Sequence, residues 1–188
     1  MTKHNVILKG SPRERGNSSV LADQARAGAE AEGATVEAFH LHSMDIRPCD
    51  ACDFCRETGV CVIKDEMQGL YPKLISADAI ILASPIYWFT YSAQLKLCID
   101  RWYAIWNFNE DVFKGKPVGI ILTYGDTDLY TSGTINAIHT FESMFRYLKA
   151  EIAGWVYGSV NDEGDAQKNS ELMEQAYRLG KKLATISE

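Results

Sequence analysis

Short apolar segments of strand length alternate with longer amphipathic segments along the whole chain. The strand-length segments are residues 6–8, 36–41, 79–83, 118–122 and 152–160. The segments 6–8, 79–83 and 118–122 are almost continuously apolar, which is typical of strands that are buried on both faces of a parallel sheet. Helical spacing of polar and apolar positions occupies residues 18–32, 65–77, 92–106, 134–148 and 166–186.

This alternation of strands and helices predicts an α/β protein with a parallel sheet covered by helices on both faces. Right-handed crossovers leave few possible topologies. Five strands in a chain of 188 residues fit the flavodoxin-like three-layer sandwich, with strand order 2-1-3-4-5. In such sheets ligands bind at the carboxyl ends of the strands, so the loops after strands 1, 3 and 4 are candidate binding elements.

Composition and charge narrow the class of protein. Hydrophobic residues make up 46 % and charged residues 23 % of the chain, and the length predicts a single domain over 1–188 with a cysteine-rich loop at about 47–64. The net charge of −6 disfavours binding to nucleic acid and to anionic membrane surfaces. No segment approaches the roughly 18 apolar residues of a membrane span, and the run at 6–8 is too short for a signal peptide. We therefore expect a cytoplasmic protein with no nucleic-acid or membrane partner.

The loop after the first strand is rich in groups that can bind an anion, and it opens directly into a helix. Those groups belong to Ser11, Arg13, Asn17, Ser18 and Ser19. A helix N-terminus adds unpaired N–H groups and a partial positive charge, and we expect Asn17 to be the N-cap. The loop matches neither the P-loop nor the G-x-G-x-x-G pattern. It suits a phosphate that is held rather than transferred, such as that of FMN, and an ordinary serine-rich loop is the alternative.

Aromatic residues dominate the loop after the third strand. Tyr87, Trp88, Phe89 and Tyr91 lie within five positions at the edge of the sheet where ligands bind. Exposed aromatic surface of this extent is costly unless something covers it. A planar flavin ring is a suitable cover. A subunit interface is the alternative, and the two are compatible.

Four of the five cysteines lie within thirteen residues, spaced C-x2-C-x2-C-x5-C: Cys49, Cys52, Cys55 and Cys61. Thiolates at this density are typical ligands of a metal ion or an iron–sulfur cluster, and disulfides are uncommon in a reducing compartment. The spacing favours a [4Fe-4S] cluster. A structural zinc ion is less consistent with it, because zinc sites usually pair two distant C-x2-C segments. Free thiols in a packed loop are the third possibility.

Two sets of motifs resemble the NADPH-dependent FMN reductase branch of the flavodoxin-like superfamily. One set is Gly10-Ser11-Pro12-Arg13 with Gly16-Asn17-Ser18. The other is Ser84-Pro85-Ile86-Tyr87 with Gln94-Leu95-Lys96 and Ile99-Asp100-Arg101. The order of elements is similar over nearly the whole chain. Within that branch, the spacing of the cysteines and their location between strand 2 and the next helix resemble the iron–sulfur flavoproteins.

The resemblance implies an FMN-dependent oxidoreductase that is linked to NAD(P)H or to ferredoxin and reduces a small-molecule acceptor. It implies a [4Fe-4S] cluster on the four cysteines and a homodimer or homotetramer. No catalytic side chain is expected, because the flavin carries the chemistry. The residues implied at the FMN site are Ser11, Arg13, Asn17, Ser18, Ser19, Pro85, Ile86, Tyr87, Trp88, Phe89, Thr123, Tyr124, Gly125 and Asp126.

Three other functions are consistent with the same sequence. The first is an NAD(P)H-dependent FMN or quinone reductase without a cluster. The second is a non-catalytic electron carrier of the flavodoxin type, and the third is a zinc-stabilised binding module without flavin. The sequence does not distinguish NADH from NADPH.

Overall fold

The structure is a computed structural model that describes residues 2–186. Its strands are β1 (His4–Lys9), β2 (Thr35–His40), β3 (Ala79–Tyr87), β4 (Thr90–Tyr91), β5 (Pro117–Tyr124) and β6 (Glu151–Ser159). Its α-helices are α1 (Asn17–Ala31), α2 (Phe54–Thr58), α3 (Met67–Ser76), α4 (Ala93–Asp100), α5 (Tyr103–Phe108), α6 (Thr134–Tyr147), α7 (Asp165–Lys168) and α8 (Ser170–Thr185), and a 3₁₀ turn spans Leu41–Ser43.

Five parallel strands form the sheet in the order β2-β1-β3-β5-β6. Counted without β4, this is the predicted flavodoxin-like order, and the predicted fold class is confirmed. The predicted count of five strands missed β4, which has two residues and pairs antiparallel with the end of β3. A strand this short carries no periodicity that a sequence could show.

The sheet is covered on both faces, as its apolar strands predict. Alternate residues of β1 enter opposite cores: Val6 and Leu8 pack with α3, α4 and α6, whereas Ile7 packs with α1 and α8. Because side chains alternate across a strand, a strand between two helical layers must be apolar at every position. None of the helices within 2–186 is long and apolar enough to cross a membrane.

Two predicted helices are interrupted. The segment 92–106 divides into α4 and α5 at Arg101 and Trp102, whose side chains are both buried. The segment 166–186 divides into α7 and α8 at Asn169, because the Asn169 side chain accepts a hydrogen bond from Leu172 N and caps α8. The helix α2 inside the cysteine loop was not predicted.

Helices α1 and α8 approach each other at backbone distance. A Cβ at Gly28 would lie 2.0 Å from the carbonyl oxygen of Tyr177, and one at Gly180 would lie 1.8 Å from that of Ala25. Neither position can carry a side chain without separating the helices. Since α1 follows the loop after β1, this contact fixes the helix that begins at the ligand-binding edge.

We expect Gly180→Ala to lower the free energy of unfolding by about 3 kcal/mol. This is the upper end of the range for overpacked side chains, because the added methyl group would clash with the backbone of α1. Urea denaturation measures this change. Gly69→Ala is the matched control: Gly69 also lies in a helix, and no described atom comes within 4 Å of its added Cβ. The control should gain stability by up to about 1 kcal/mol from helix propensity. Equal stability of the two variants would contradict the close contact of α1 with α8.

Candidate cofactor site

The carboxyl ends of β3 and β5 and the loops after β1, β5 and β6 enclose a cavity of about 280 Å³ at the carboxyl edge of the sheet. Most of the residues predicted for FMN line it. Its lining consists of Ser11, Arg13, Gly16, Asn17, Ser18, Pro85, Ile86, Tyr87, Thr123, Tyr124, Gly125, Val160 and Asn161.

One end of this cavity has the properties of a phosphate site. Helix α1 has Gly16 as its N-cap, without a side-chain cap in the described chain and without an acidic residue in its first turn, so its first N–H groups remain unpaired. The Ser18 hydroxyl is buried and has no hydrogen-bond partner among residues 2–186. A Cβ at Gly16 would lie 2.6 Å from Ser11 Oγ and would crowd this end of the cavity. A buried unpaired donor beside an uncapped helix fits the phosphate of FMN.

Two predicted phosphate ligands have other partners. Asn17 begins α1 and does not cap it, so the expectation of an Asn17 cap was wrong. Its Nδ2 donates to the carbonyl of Asp162 at 2.9 Å, and its Oδ1 accepts from Ala166 N at 3.2 Å. Ser19 Oγ donates to the carbonyl of Arg13 at 3.2 Å, and Ser19 does not line the cavity. Both side chains therefore stabilise the conformation of the loop after β1, and Asn17 still lines the cavity.

A second cavity of about 590 Å³ adjoins the first and shares Ile86, Tyr87, Tyr124 and Gly125 with it. The predicted residues Trp88, Phe89 and Asp126 line this second cavity and not the first. Thr131 and Ser132 complete its lining. We call it the aromatic cavity, because four of its nine lining residues are aromatic.

A strained turn presents the aromatic residues of this cavity. Trp88 and Phe89 connect β3 to β4 with φ of 45° and 67°, a left-handed conformation that glycine or asparagine usually adopts in two-residue hairpins. Asn136 Nδ2 donates to the carbonyl of Phe89 at 3.2 Å. A Cβ on Gly133 would lie 2.4 Å from Phe89 Cβ, so only glycine fits there. Trp88 is 92 % exposed at the mouth. Strain of this kind is typical of functional sites.

The loop after β5 is ordered by Asp128. Its carboxylate accepts hydrogen bonds from Tyr130 N, Thr131 N and Thr131 Oγ at 2.7, 3.0 and 2.7 Å. These hydrogen bonds lower the pKa of Asp128 to about 2, and the bond from the Thr131 N–H has the largest effect. Burial, with smaller effects of Tyr157 and Asp128, raises the pKa of Tyr124, so the Tyr124 hydroxyl remains a donor at neutral pH.

Sequence reasoning missed Gly16, Thr131, Ser132, Val160 and Asn161. Val160 and Asn161 follow β6, and a Cβ at Gly125 would lie 2.6 Å from Asn161 Oδ1. The signal for Val160 and Asn161 was available, because all parallel strands end at one edge.

A third cavity, of about 490 Å³, is lined by all four clustered cysteines together with aromatic residues of α5 and its surroundings. We call it the cysteine cavity. Cys49 and Cys52 are exposed, Cys55 and Cys61 are partly buried, and all four are free thiols. Burial and the neighbouring thiols, Cys61 foremost, raise the pKa of Cys55. Cys98 is buried in the core.

The cysteine cavity provides the donors of a four-thiolate group but not its geometry. Among residues 2–186 no three histidine, cysteine or acidic side chains are arranged to hold a metal ion. The expected [4Fe-4S] cluster is therefore not supported by the arrangement of the side chains. What fits is the chemistry of the donor set, since four free thiols line one cavity.

Comparisons with known proteins identify the family of this chain. The NADPH-dependent FMN reductase family model matches residues 5–163. An iron–sulfur flavoprotein of Methanocaldococcus jannaschii is 30 % identical over 188 residues, covering 96 % of this chain and 95 % of that protein. A Bacillus subtilis protein described as an NAD(P)H-dependent FMN-containing oxidoreductase is 27 % identical, with 96 % and 98 % coverage.

Among solved structures, an NAD(P)H:quinone oxidoreductase from Methanothermobacter marburgensis superposes with a TM-score of 0.76 at 18 % identity, covering 100 % of both chains. At this identity the likeness concerns the fold. The family match extends over most of the chain and includes the loops that form the cofactor cavity. The chain therefore belongs to the NADPH-dependent FMN reductase family and is an FMN-dependent oxidoreductase.

Proposed function

We propose that this FMN-dependent oxidoreductase passes electrons from NAD(P)H or a reduced ferredoxin to a small-molecule acceptor, and that its four clustered cysteines hold a [4Fe-4S] cluster. The observation that carries the flavin part is the buried, unpaired Ser18 hydroxyl at the uncapped N-terminus of α1. We further propose that the protein acts in the cytoplasm as a homodimer or homotetramer.

The side chains of the cofactor cavity would divide the binding of FMN between them. Ser11, Ser18 and Arg13 would hold the phosphate, together with the first N–H groups of α1. Ile86, Tyr87 and Tyr124 line both cavities and would contact the ribityl chain and the ring. Bound FMN supplies both two-electron and one-electron redox chemistry.

The aromatic cavity would receive the second reactant. A nicotinamide or a planar acceptor can stack on aromatic faces, and the turn described above presents Trp88 and Phe89 to this cavity. This arrangement favours an enzyme over a pure electron carrier, which needs no substrate cavity.

We expect Ser18→Ala to weaken FMN binding at least tenfold, because hydrogen bonds to charged groups contribute about 1.5–3 kcal/mol. Fluorescence titration of the apoprotein with FMN measures this affinity. The unfolding free energy of the apoprotein should hardly change, since the Ser18 hydroxyl has no described partner to lose.

Ser19→Ala is the matched control on the same turn of α1. Its hydroxyl bonds to the carbonyl of Arg13, so its loss should lower stability by about 1 kcal/mol and leave the FMN affinity within about twofold. If both variants bind FMN as the wild type does, the phosphate does not occupy this end of the cavity.

The proposal of a cluster rests on the donor set and on the likeness to iron–sulfur flavoproteins. Four thiols line one cavity, and Ala51 and Asp53 between them have φ of 56° and 57°. Two non-glycine residues in the left-handed conformation cost energy, as is typical of binding loops. A cluster-free reductase is the second candidate, because no three metal-binding side chains within the described chain are arranged to hold a metal ion.

Anaerobic reconstitution with iron and sulfide distinguishes the two candidates. We expect close to four iron and four sulfide per chain, together with FMN, in the wild type. Cys49→Ser and Cys61→Ser should lose the iron and sulfide while keeping FMN. Cys98→Ala, which removes a buried cysteine outside the cysteine cavity, should keep both. A wild type with flavin alone would make the protein a cluster-free reductase.

A further inference from the structure

A buried ion pair lies behind the cysteine cavity. Arg101, directly after α4, is 2 % exposed. Its Nη1 donates to Asp65 Oδ2 at 2.5 Å and its Nη2 to Asp65 Oδ1 at 3.1 Å. The side chains of this pair are 1 % and 0 % exposed. Removing two charges from water is costly, so such a pair is weak evidence of a purely stabilising role.

The same guanidinium contacts one of the clustered cysteines. Arg101 Nη2 donates to Cys61 Sγ at 3.3 Å, and Nη1 donates to the carbonyl of Arg47 at 2.8 Å. Asp65 in turn accepts from the N–H groups of Arg47 and Met67 at 3.0 and 3.1 Å. Arg47 and Asp65 are at the two ends of the cysteine loop. The ion pair therefore ties both ends of that loop to α4.

Both partners remain charged at neutral pH. Burial opposes the charge of Arg101, but the hydrogen bonds with Asp65 outweigh it and raise the pKa of Arg101. Burial also opposes the charge of Asp65, and the Arg101 guanidinium lowers the pKa of Asp65. The positive end of the pair is the end that contacts Cys61.

The charged residues that line the cysteine cavity are acidic. Asp50 and Asp53 line the cysteine cavity and would oppose the addition of negative charge. Within residues 2–186, Arg101 is the cation that hydrogen-bonds to this sulfur.

We propose that Arg101 is a positioning residue for the four-cysteine group: it orients the Cys61 thiolate through an N–H···S bond, and its charge favours the reduced form of the group. This inference rests on the proposed cluster. Reduction adds one electron to a group already surrounded by four thiolates, and hydrogen bonds and charge at the sulfurs set the potential of such groups. In the test the electron comes from dithionite.

Two variants separate this role from a structural one. Arg101→Gln and Asp65→Asn both break the ion pair. The first variant removes the positive charge, and the second leaves that charge without its carboxylate partner. In reconstituted protein, we expect Arg101→Gln to lower and Asp65→Asn to raise the midpoint potential of the cluster. The expected shift is about tenfold in the redox equilibrium, which is 59 mV for a one-electron couple. The exchangeable proton coupled to the reduced cluster should disappear only in Arg101→Gln.

Lys96→Gln is the matched control, because Lys96 pairs with Asp100 on the exposed face of the same helix and should leave the potential unchanged. FMN content and thermal unfolding report whether each variant folds. Should either single variant fail to fold, the neutral pair Arg101→Gln with Asp65→Asn replaces it, and it should lower the potential and lose the coupled proton.

Shifts in the same direction, or none, in protein that carries iron and sulfide would overturn the role of Arg101 and leave the cluster in place. A wild type that binds FMN but neither iron nor sulfide would overturn the cluster and this inference together. The flavin site would be unaffected by either result.

Discussion

The burial of the sheet on both faces is the constraint on which the rest of the structure depends. Because β1, β3 and β5 are apolar on both sides, each needs a helical layer above and below. Parallel pairing then requires every connection to cross over, and every strand ends at the same edge. The cofactor cavity is the direct result, since the carboxyl ends of β3 and β5 and three of the loops at that edge converge on it.

The parts that the sequence predicted are those in which the physical cause is local. The apolar runs identified the sheet, and crossover rules limited its order. The hydroxyls of the loop after β1 were correctly placed beside a helix N-terminus, and the cysteine spacing led to one shared cavity. Each strand, the loop after β1 and the cysteine run are recognisable within one short segment, whereas the order of the sheet follows from their alternation along the whole chain.

The parts that could not be predicted depend on contacts between distant segments. Asn17 has the composition of a cap, yet its side chain bonds to residues about 145 positions away, and no local rule anticipates that choice. Asn169 is the exception, because it divides the last helix through a local cap that the helical periodicity of the segment does not reveal. In the sequence, Arg101 is an ordinary polar residue of a helical segment. Only the folded structure shows that it is buried against Asp65 and Cys61.

Helix α4 connects the two chemical regions of the molecule. Ser92 at its start is buried, donates from Oγ to the carbonyl of Gly10 at 2.6 Å and accepts from Leu95 N, whereas Arg101 follows its end. Nine residues at 1.5 Å each set these residues about 13 Å apart. An inserted residue would rotate Arg101 by about 100° around the helix axis and turn it away from Cys61. An insertion or deletion in α4 would therefore break one of these two contacts. The number of residues in this one helix sets the orientation of the flavin side of the protein relative to the cysteine side.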